Sequence, residues 1–431
     1  MRIYQVLTRL WGKGRFSSFD NAFFGHLGSL AIDAVWFTGI PRHASGEPYV
    51  KGCPGSPYSV SDYYDTNPYL ADDPARRMQE FCNLVRRCHR AGMKVLIDFV
   101  PNHVSPDAVN GIPVFDHWDY DWSDTRKIDW SNPATLPAMT DILRFWASKG
   151  VDGFRCDMVE LVPLDSLRAL IAASREDYHS LVFISEVYNM DSYGSYIAAG
   201  FDLLYDKSGF YDSVRSIMTA SDTARRLTWN WQRIGPGQSH MLNFLENHDE
   251  QRFASVHYAS IPEKAFAAMA VACLFNGASA MLYFGQEVGE AAIESSDGRT
   301  SIFSWCHPAS IARLFKHLHS KGDGVLNQRE AQLLARYRGL MQLSACEPFV
   351  SGANYDLCWC QDGASTAPGF DADRHFAFLR YGPDAAALVV CNFGSEESAV
   401  RVRVPGGLAG VPSGDYLVEV PAWDYKILKL R

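Results

Sequence analysis

Short apolar runs punctuate the first 345 residues, at 3–8, 34–40, 94–100, 153–157, 181–186, 201–205, 241–245 and 280–284. The run Ala34-Val35-Trp36-Phe37-Thr38-Gly39-Ile40 is apolar on both faces, as a parallel strand covered on both sides has to be. Between the runs the spacing lengthens to that of amphipathic helices, up to about residue 30 and over 74–91, 137–149, 164–176, 209–225, 262–275 and 328–343. Gly92 stands where a helix C-cap belongs. Strand then helix, eight times over, predicts an α/β fold, the (β/α)8 TIM barrel.

Three segments break this rhythm. Residues 41–72 are rich in Gly, Pro, Ser and Tyr, and so long a loop predicts a lining for a site. Residues 104–138, dominated by Pro, Asp and Trp, read as a short insert after strand 3. From 346 onward the pattern alternates with period two at 375–380, 386–392, 399–404 and 416–420, which predicts a C-terminal antiparallel β-sandwich domain. The expected organisation is a barrel of 1–103 and 139–345, an insert of 104–138 and a sandwich of 346–431.

Composition narrows the function. A net charge of −9 with no basic run argues against a nucleic-acid partner. No apolar run reaches membrane-spanning length, so no membrane association is expected. Residues 1–10 read as a first strand rather than a signal peptide, and the ten cysteines are scattered without a disulfide framework or metal-ligand spacing. A reducing, cytoplasmic location is the expectation. Eleven Trp and twenty Tyr offer stacking platforms for sugars, although a large core absorbs such residues too.

In a (β/α)8 barrel the chemistry sits at the carboxyl ends of the strands. Those ends carry Asp98 with Asn102 and His103, then Arg155 and Asp157, then Glu186, then Glu246, Asn247, His248 and Asp249. Any one of these reads as a cap or a satisfied core group; four such clusters on one rim read as a catalytic site. Arg155 and Asp157, two apart on a strand, share a face, and the guanidinium favours an ionised carboxylate. Three carboxylates in one cleft fit retaining glycoside hydrolysis, in which nucleophile and acid lie about 5–5.5 Å apart. Asp157 is then the nucleophile. Glu186, with no cation beside it in sequence, is the acid with a raised pKa, and Asp249 steadies the cationic transition state.

These segments resemble the four ordered motifs of the α-amylase family, the glycoside hydrolase family 13-like, retaining α-glucan-acting enzymes. Asp98–His103 is similar to the first motif, Gly153–Asp157 to the second, Ile184-Ser185-Glu186 to the third and Asn247-His248-Asp249 to the fourth. The resemblance implies Asp157 as nucleophile, Glu186 as acid/base and Asp249 as third carboxylate. It implies Tyr58 stacked under the sugar ring, Asp98 organising the site, and His103, Arg155 and His248 touching the sugar. It also implies that no cofactor is required, with calcium an option through Asn102 and oxygens of Asp116, Asp119, Asp121 and Asp124.

Glu160-Leu161 stands where many starch-cleaving members carry Lys-His, and the insert is short, so acceptor subsites and calcium arrangement are expected to differ. Trp118, Trp122 and Trp130 in the insert read equally as sugar platforms or as packing. The implied activity is hydrolysis of α-1,4 bonds in maltooligosaccharides or starch- and glycogen-type α-glucans through a covalent glycosyl-aspartate. The alternatives are a 4-α-glucanotransferase-type transglycosylase using the same carboxylates, and a non-catalytic α-glucan-binding protein. Oligomeric state is left open.

Overall fold

Eight parallel strands close in sequence order around one barrel: β1 (Arg2–Leu7), β2 (Ala34–Thr38), β3 (Lys94–Phe99), β4 (Gly153–Cys156), β5 (Val182–Ser185), β6 (Leu203–Tyr205), β7 (Met241–Asn243) and β8 (Ser279–Tyr283). This is seen in a computed structural model that describes residues 1–116, 122–320, 324–361, 369–408 and 410–431. Trp118, Asp119 and Asp121, named above for stacking or calcium, lie outside the described residues. All five residues of β2 are buried, as its two-sided apolar run requires.

The helices follow the predicted periodicity with local departures. The predicted 74–91 is helix Arg77–Arg90 behind a 3-10 turn, and 328–343 is helix Gln328–Leu343, closed at its start by an Asn327–Glu330 capping box. The predicted single helix 209–225 is wrong. It comprises a π-turn and a helix Asp212–Met218, then a reversal through Ala220 at φ 57°, then a separate helix Arg225–Ile234. A further helix, Ala309–His319, opens after Pro308.

Beyond the barrel, β9 (Ala353–Asp356), β10 (His375–Tyr381), β11 (Ala386–Asn392) and β14 (Tyr425–Lys429) form a four-stranded antiparallel sheet. β12 (Ser398–Val404) and β13 (Gly414–Val420) form a second, two-stranded sheet. The two outer strands β9 and β14 were not predicted. Alternation in β10 explains the layering. Phe376 and Phe378 pack on Phe275 of the barrel with ring centroids 5.1 Å apart, while Ala377 and Leu379 join Val400, Val402 and Val418 in a smaller core. Arg380, buried at the junction, donates to the carbonyls of Phe275 (3.1 Å) and Phe349 (2.9 Å).

Candidate active site

Strand register assembles the centre. β3 pairs with β4 so that Asp98 lies opposite Arg155, and β4 pairs with β5 so that Cys156 lies opposite Ser185. One residue further, Asp157 and Glu186 leave adjacent strand ends side by side; Asp157 N donates to Phe99 O (2.9 Å) and Glu186 N to Cys156 O (3.1 Å), prolonging the ladders. The strands approach closely here: a Cβ on Gly153 would run into the carbonyl oxygen of Val182. Just after the strand, Met158 takes a left-handed turn at φ 44°, and its N–H donates to Glu186 Oε2 at 2.7 Å. A non-glycine residue in that region costs roughly 1–3 kcal/mol, which such a placement has to offset.

Arg155, fully buried, is the hub. Its Nη1 donates to Asp157 Oδ1, and its Nη2 lies 2.6 Å from Glu186 Oε1. Asp98 and Asp249 are each 3.9 Å from the same guanidinium, and the rings of Tyr58, Tyr205 and Trp36 surround it at 5.2, 5.4 and 5.6 Å. Glu186, with no cation beside it in sequence, gains one in the fold from the next strand. Burial nevertheless dominates and pushes Glu186 up to about 7, against the pull of Arg155 and with Asp157 and Asp249 adding repulsion. Burial also pushes Asp157 and Asp98 upward, opposed chiefly by Arg155, so Asp157 does not sit low merely because an arginine adjoins it. Four carboxylates around one guanidinium favour retention of a proton. Glu186, raised to about 7, is the natural holder, and Tyr188 OH donates to its Oε1 at 2.7 Å.

Asp249 differs. Burial would raise it, but His248 and Arg155 outweigh that and hold it at about 2; its side chain is also 37% exposed, so water shares in stabilising its charge. Asn247 Oδ1 accepts the amides of Asp249 and Glu250 and fixes the turn. His248 is held between Gln5 Nε2, 2.8 Å from Nδ1, and Asp249 Oδ2, 3.0 Å from Nε2. With the Gln5 amide donating to Nδ1, Nε2 carries a hydrogen and faces both the Tyr58 hydroxyl and Asp249 Oδ2. Tyr58 stacks on His248 at 5.2 Å and donates to Asp98 Oδ1 at 3.1 Å. Asp98 also accepts from Trp36 Nε1 and Gly39 N, both 3.2 Å away. Glu246 turns aside to pair with Arg252 at 2.9 Å, which makes it structural.

Tyr58, His103, Asp157, Glu186 and Asp249 line one cavity of about 230 Å³, together with Lys51, Trp122, Asp124 and Tyr188 among others. A hollow of about 620 Å³ adjoins it, sharing Asp249, Ile302 and Phe303 and reaching Arg299 and Trp305. His248 lines the adjoining hollow, while Asp98 and Arg155 support these walls from behind. Trp122 stands 4.9 Å from the His103 ring, whereas Trp130 donates to Pro101 O at 2.8 Å, a packing role.

No calcium cage is seen around Asn102 among the described residues. Its amide nitrogen meets His103 Nδ1 at 3.1 Å and its Oδ1 has no protein hydrogen-bond partner, but among the described residues no group of three His, Cys, Asp or Glu side chains is arranged to hold a metal ion. Asp124 is taken by Lys51 at 2.6 Å and Asp116 is exposed, so these residues do not supply the six to eight oxygens a calcium ion takes.

Several participants escaped the sequence reading. Tyr188 is one, two residues past Glu186 and so on the same side of the extended chain, a legible signal. Glu160, noted only as a departure, accepts the amides of Tyr188 and Asn189 at 3.0 Å each and so holds Tyr188 in place. Lys51 gave no signal, and Asp124 was named only as a calcium oxygen; their pairing joins positions far apart in sequence.

With this geometry in view, comparison with known proteins is informative. The family model for the alpha amylase catalytic domain matches residues 24–112 and 117–191, a span that includes Tyr58, Asp98, His103, Arg155, Asp157 and Glu186 and ends before Asp249. Alpha-amylase MalA of Haloarcula japonica is 28% identical over 96% of this chain, which spans 58% of that protein, little more than half its length. Among solved structures, an alpha-amylase from Lactobacillus plantarum superposes with a TM-score of 0.74 at 22% identity, over 99% of this chain and 98% of that one. A maltogenic alpha-amylase, AmyB from Thermotoga neapolitana, gives a TM-score of 0.72 at 22% identity over 100% and 96%.

Proposed function

We propose that the chain is a member of the alpha-amylase family, whose catalytic-domain model it matches, and that it is a retaining α-glycoside hydrolase. Its substrates are maltooligosaccharides or starch- and glycogen-type α-glucans, cut at α-1,4 bonds. The observation that carries the reading is the pair Asp157 and Glu186, side by side on one guanidinium, with Glu186 also accepting from Met158 N and Tyr188 OH. Asp157 attacks the anomeric carbon while Glu186, its pKa raised to about 7, gives its proton to the departing glycosidic oxygen. Glu186, now a carboxylate, then takes a proton from the water that opens the glycosyl-aspartate. Arg155 and Asp249 bracket the charge that develops at the sugar, and Tyr58 and His248 form the wall beside it. The names of the relatives, alpha-amylase and maltogenic alpha-amylase, support the substrate class. A reducing, cytoplasmic setting goes with the proposal, supported by ten unpaired thiols.

Incubation with maltoheptaose, with chain lengths read by chromatography and Asp157→Asn as the inactive control, tests it. Shorter products alone support the hydrolase. Products longer than the substrate reassign the protein to 4-α-glucanotransferase-type transglycosylation. No reaction with maltoheptaose, α-1,6-linked glucans, sucrose or trehalose leaves only a non-catalytic α-glucan-binding protein.

A further inference from the structure

The long loop after β2 does more than line the cavity: it is tied down on both sides. Toward the insert, Lys51 Nζ pairs with Asp124 Oδ1 at 2.6 Å and Ser59 Oγ donates to Asp124 O at 2.7 Å. Toward the loop after β8, Pro54 forms a β-bridge with Ser304, flanked by Gly55 N donating to Phe303 O (3.1 Å) and Trp305 N donating to Cys53 O (2.8 Å). The seam is tight. A Cβ on Gly52, at φ 72°, would lie 2.5 Å from Ser304 Oγ and 2.8 Å from Phe303 O. Insert, loop and β8 segment thus make one continuous wall across an end of the cavity.

Inside that wall the space is small. About 230 Å³ lies below the ~300–1,000 Å³ of cavities that take drug-sized ligands, and suits one hexose ring rather than a chain running through. The lining of this one cavity joins the chemistry, Asp157, Glu186 and Asp249 with Met158 and Tyr188, to Lys51, Asp124, His103 and Trp122. An ammonium donates and a carboxylate accepts, so together they satisfy a hydroxyl that does both, whereas an ether oxygen bearing further sugar has no hydrogen to give Asp124 and leaves that carboxylate without a ligand partner.

We propose that this enzyme acts from the chain end. Its cavity admits a single non-reducing terminal glucosyl unit, whose free 4-hydroxyl meets the Lys51–Asp124 pair, and the rest of the glucan leaves past Asp249 into the adjoining hollow. The inference rests on the glycosidase reading above and sharpens its substrate to glucans with an unblocked non-reducing end.

The test compares p-nitrophenyl α-maltoheptaoside with the same compound blocked at its non-reducing 4- and 6-hydroxyls by an ethylidene group, products being followed by chromatography. The unblocked compound is expected to release glucose first, and the blocked one to react at least ~100-fold more slowly, as sites built around a substrate hydroxyl reject analogues lacking it. Lys51→Ala, at a half-exposed position, is expected to shrink that ratio at least ~10-fold by opening the wall. Equal cleavage of both compounds overturns the chain-end inference and leaves the glycosidase reading standing. An unchanged ratio in Lys51→Ala overturns the role given to the ion pair. No cleavage of either compound overturns the glycosidase reading and this inference with it.

Discussion

Arg155 Nη2 stands 2.6 Å from Glu186 Oε1 while Nη1 of the same guanidinium bonds Asp157, so one arginine aligns both carboxylates that the chemistry needs. A lysine is a point charge without the planar fork and cannot serve the two at once. Arg155→Lys is expected to lower kcat/KM on maltooligosaccharides by at least ~100-fold, in the range seen when a positioned charged group is lost from an active site. Steady-state kinetics on a variant that still melts cooperatively gives the answer; a loss under ~5-fold would show that the two carboxylates are aligned by other groups.

The pH profile follows from Glu186. As the acid it must be protonated, and it loses its proton as pH rises through about 7, so kcat/KM falls on the alkaline side of that value. Glu186→Gln is expected to remove this alkaline limb and to slow unactivated substrates by ~10²–10⁴-fold, with a smaller loss on aryl glucosides whose leaving group needs little protonation. Equal losses on both substrate types would argue against the acid role.

Tyr188 tunes that group. Its hydroxyl donates to the ionised form of Glu186 at 2.7 Å and so favours ionisation. Without it the carboxyl holds its proton more tightly. Tyr188→Phe is expected to move the alkaline limb upward by roughly one to two units, the worth of one hydrogen bond to a charged group. A downward shift would contradict the assigned direction.

Glu160 keeps Tyr188 there by accepting two consecutive backbone amides. Glu160→Ala leaves both without a protein acceptor, a loss of about 1–2 kcal/mol given partial solvent access. The melting temperature is expected to drop by about 1–2 °C, with kcat/KM falling alongside. An unchanged melt would mean the loop is held by its other contacts.

Much of this architecture is legible in sequence because it rests on period and order. Buried runs such as 34–40 mark the strands, and the charged residues directly after them mark the rim. Asp157 and Glu186 meet because strands four and five are neighbours, and neighbourhood follows from order in a barrel. What sequence hid is of another kind. The reversal at Ala220 carries no Gly or Pro, so 209–225 reads as one helix. The strands Ala353–Asp356 and Tyr425–Lys429 flank their sheet, where one-sided pairing relaxes the alternation. Arg155 against Glu186 depends on register, and Lys51 against Asp124 joins two irregular loops whose meeting no local pattern announces.

The junction between barrel and sandwich gives a stability prediction. Arg380 is buried and donates to carbonyls on both sides of the interface, and that burial lowers its pKa to about 10. Arg380→Ala removes the donors and leaves the carbonyls unpaired, a loss of about 3–5 kcal/mol of the kind found on breaking a buried charged contact. Urea unfolding is expected to begin at lower denaturant for this variant, whereas an unchanged midpoint would place the docking energy in Phe376 and Phe378 alone.

The central claim is double displacement at Asp157 with Glu186 as acid, and the configuration of the first-formed product reads it directly. Proton NMR of the new reducing end released from an α-1,4-linked oligosaccharide, recorded before mutarotation, is predicted to show the α anomer. The β anomer appearing first would mean a single inverting displacement and would contradict the assignment of Asp157 as a nucleophile.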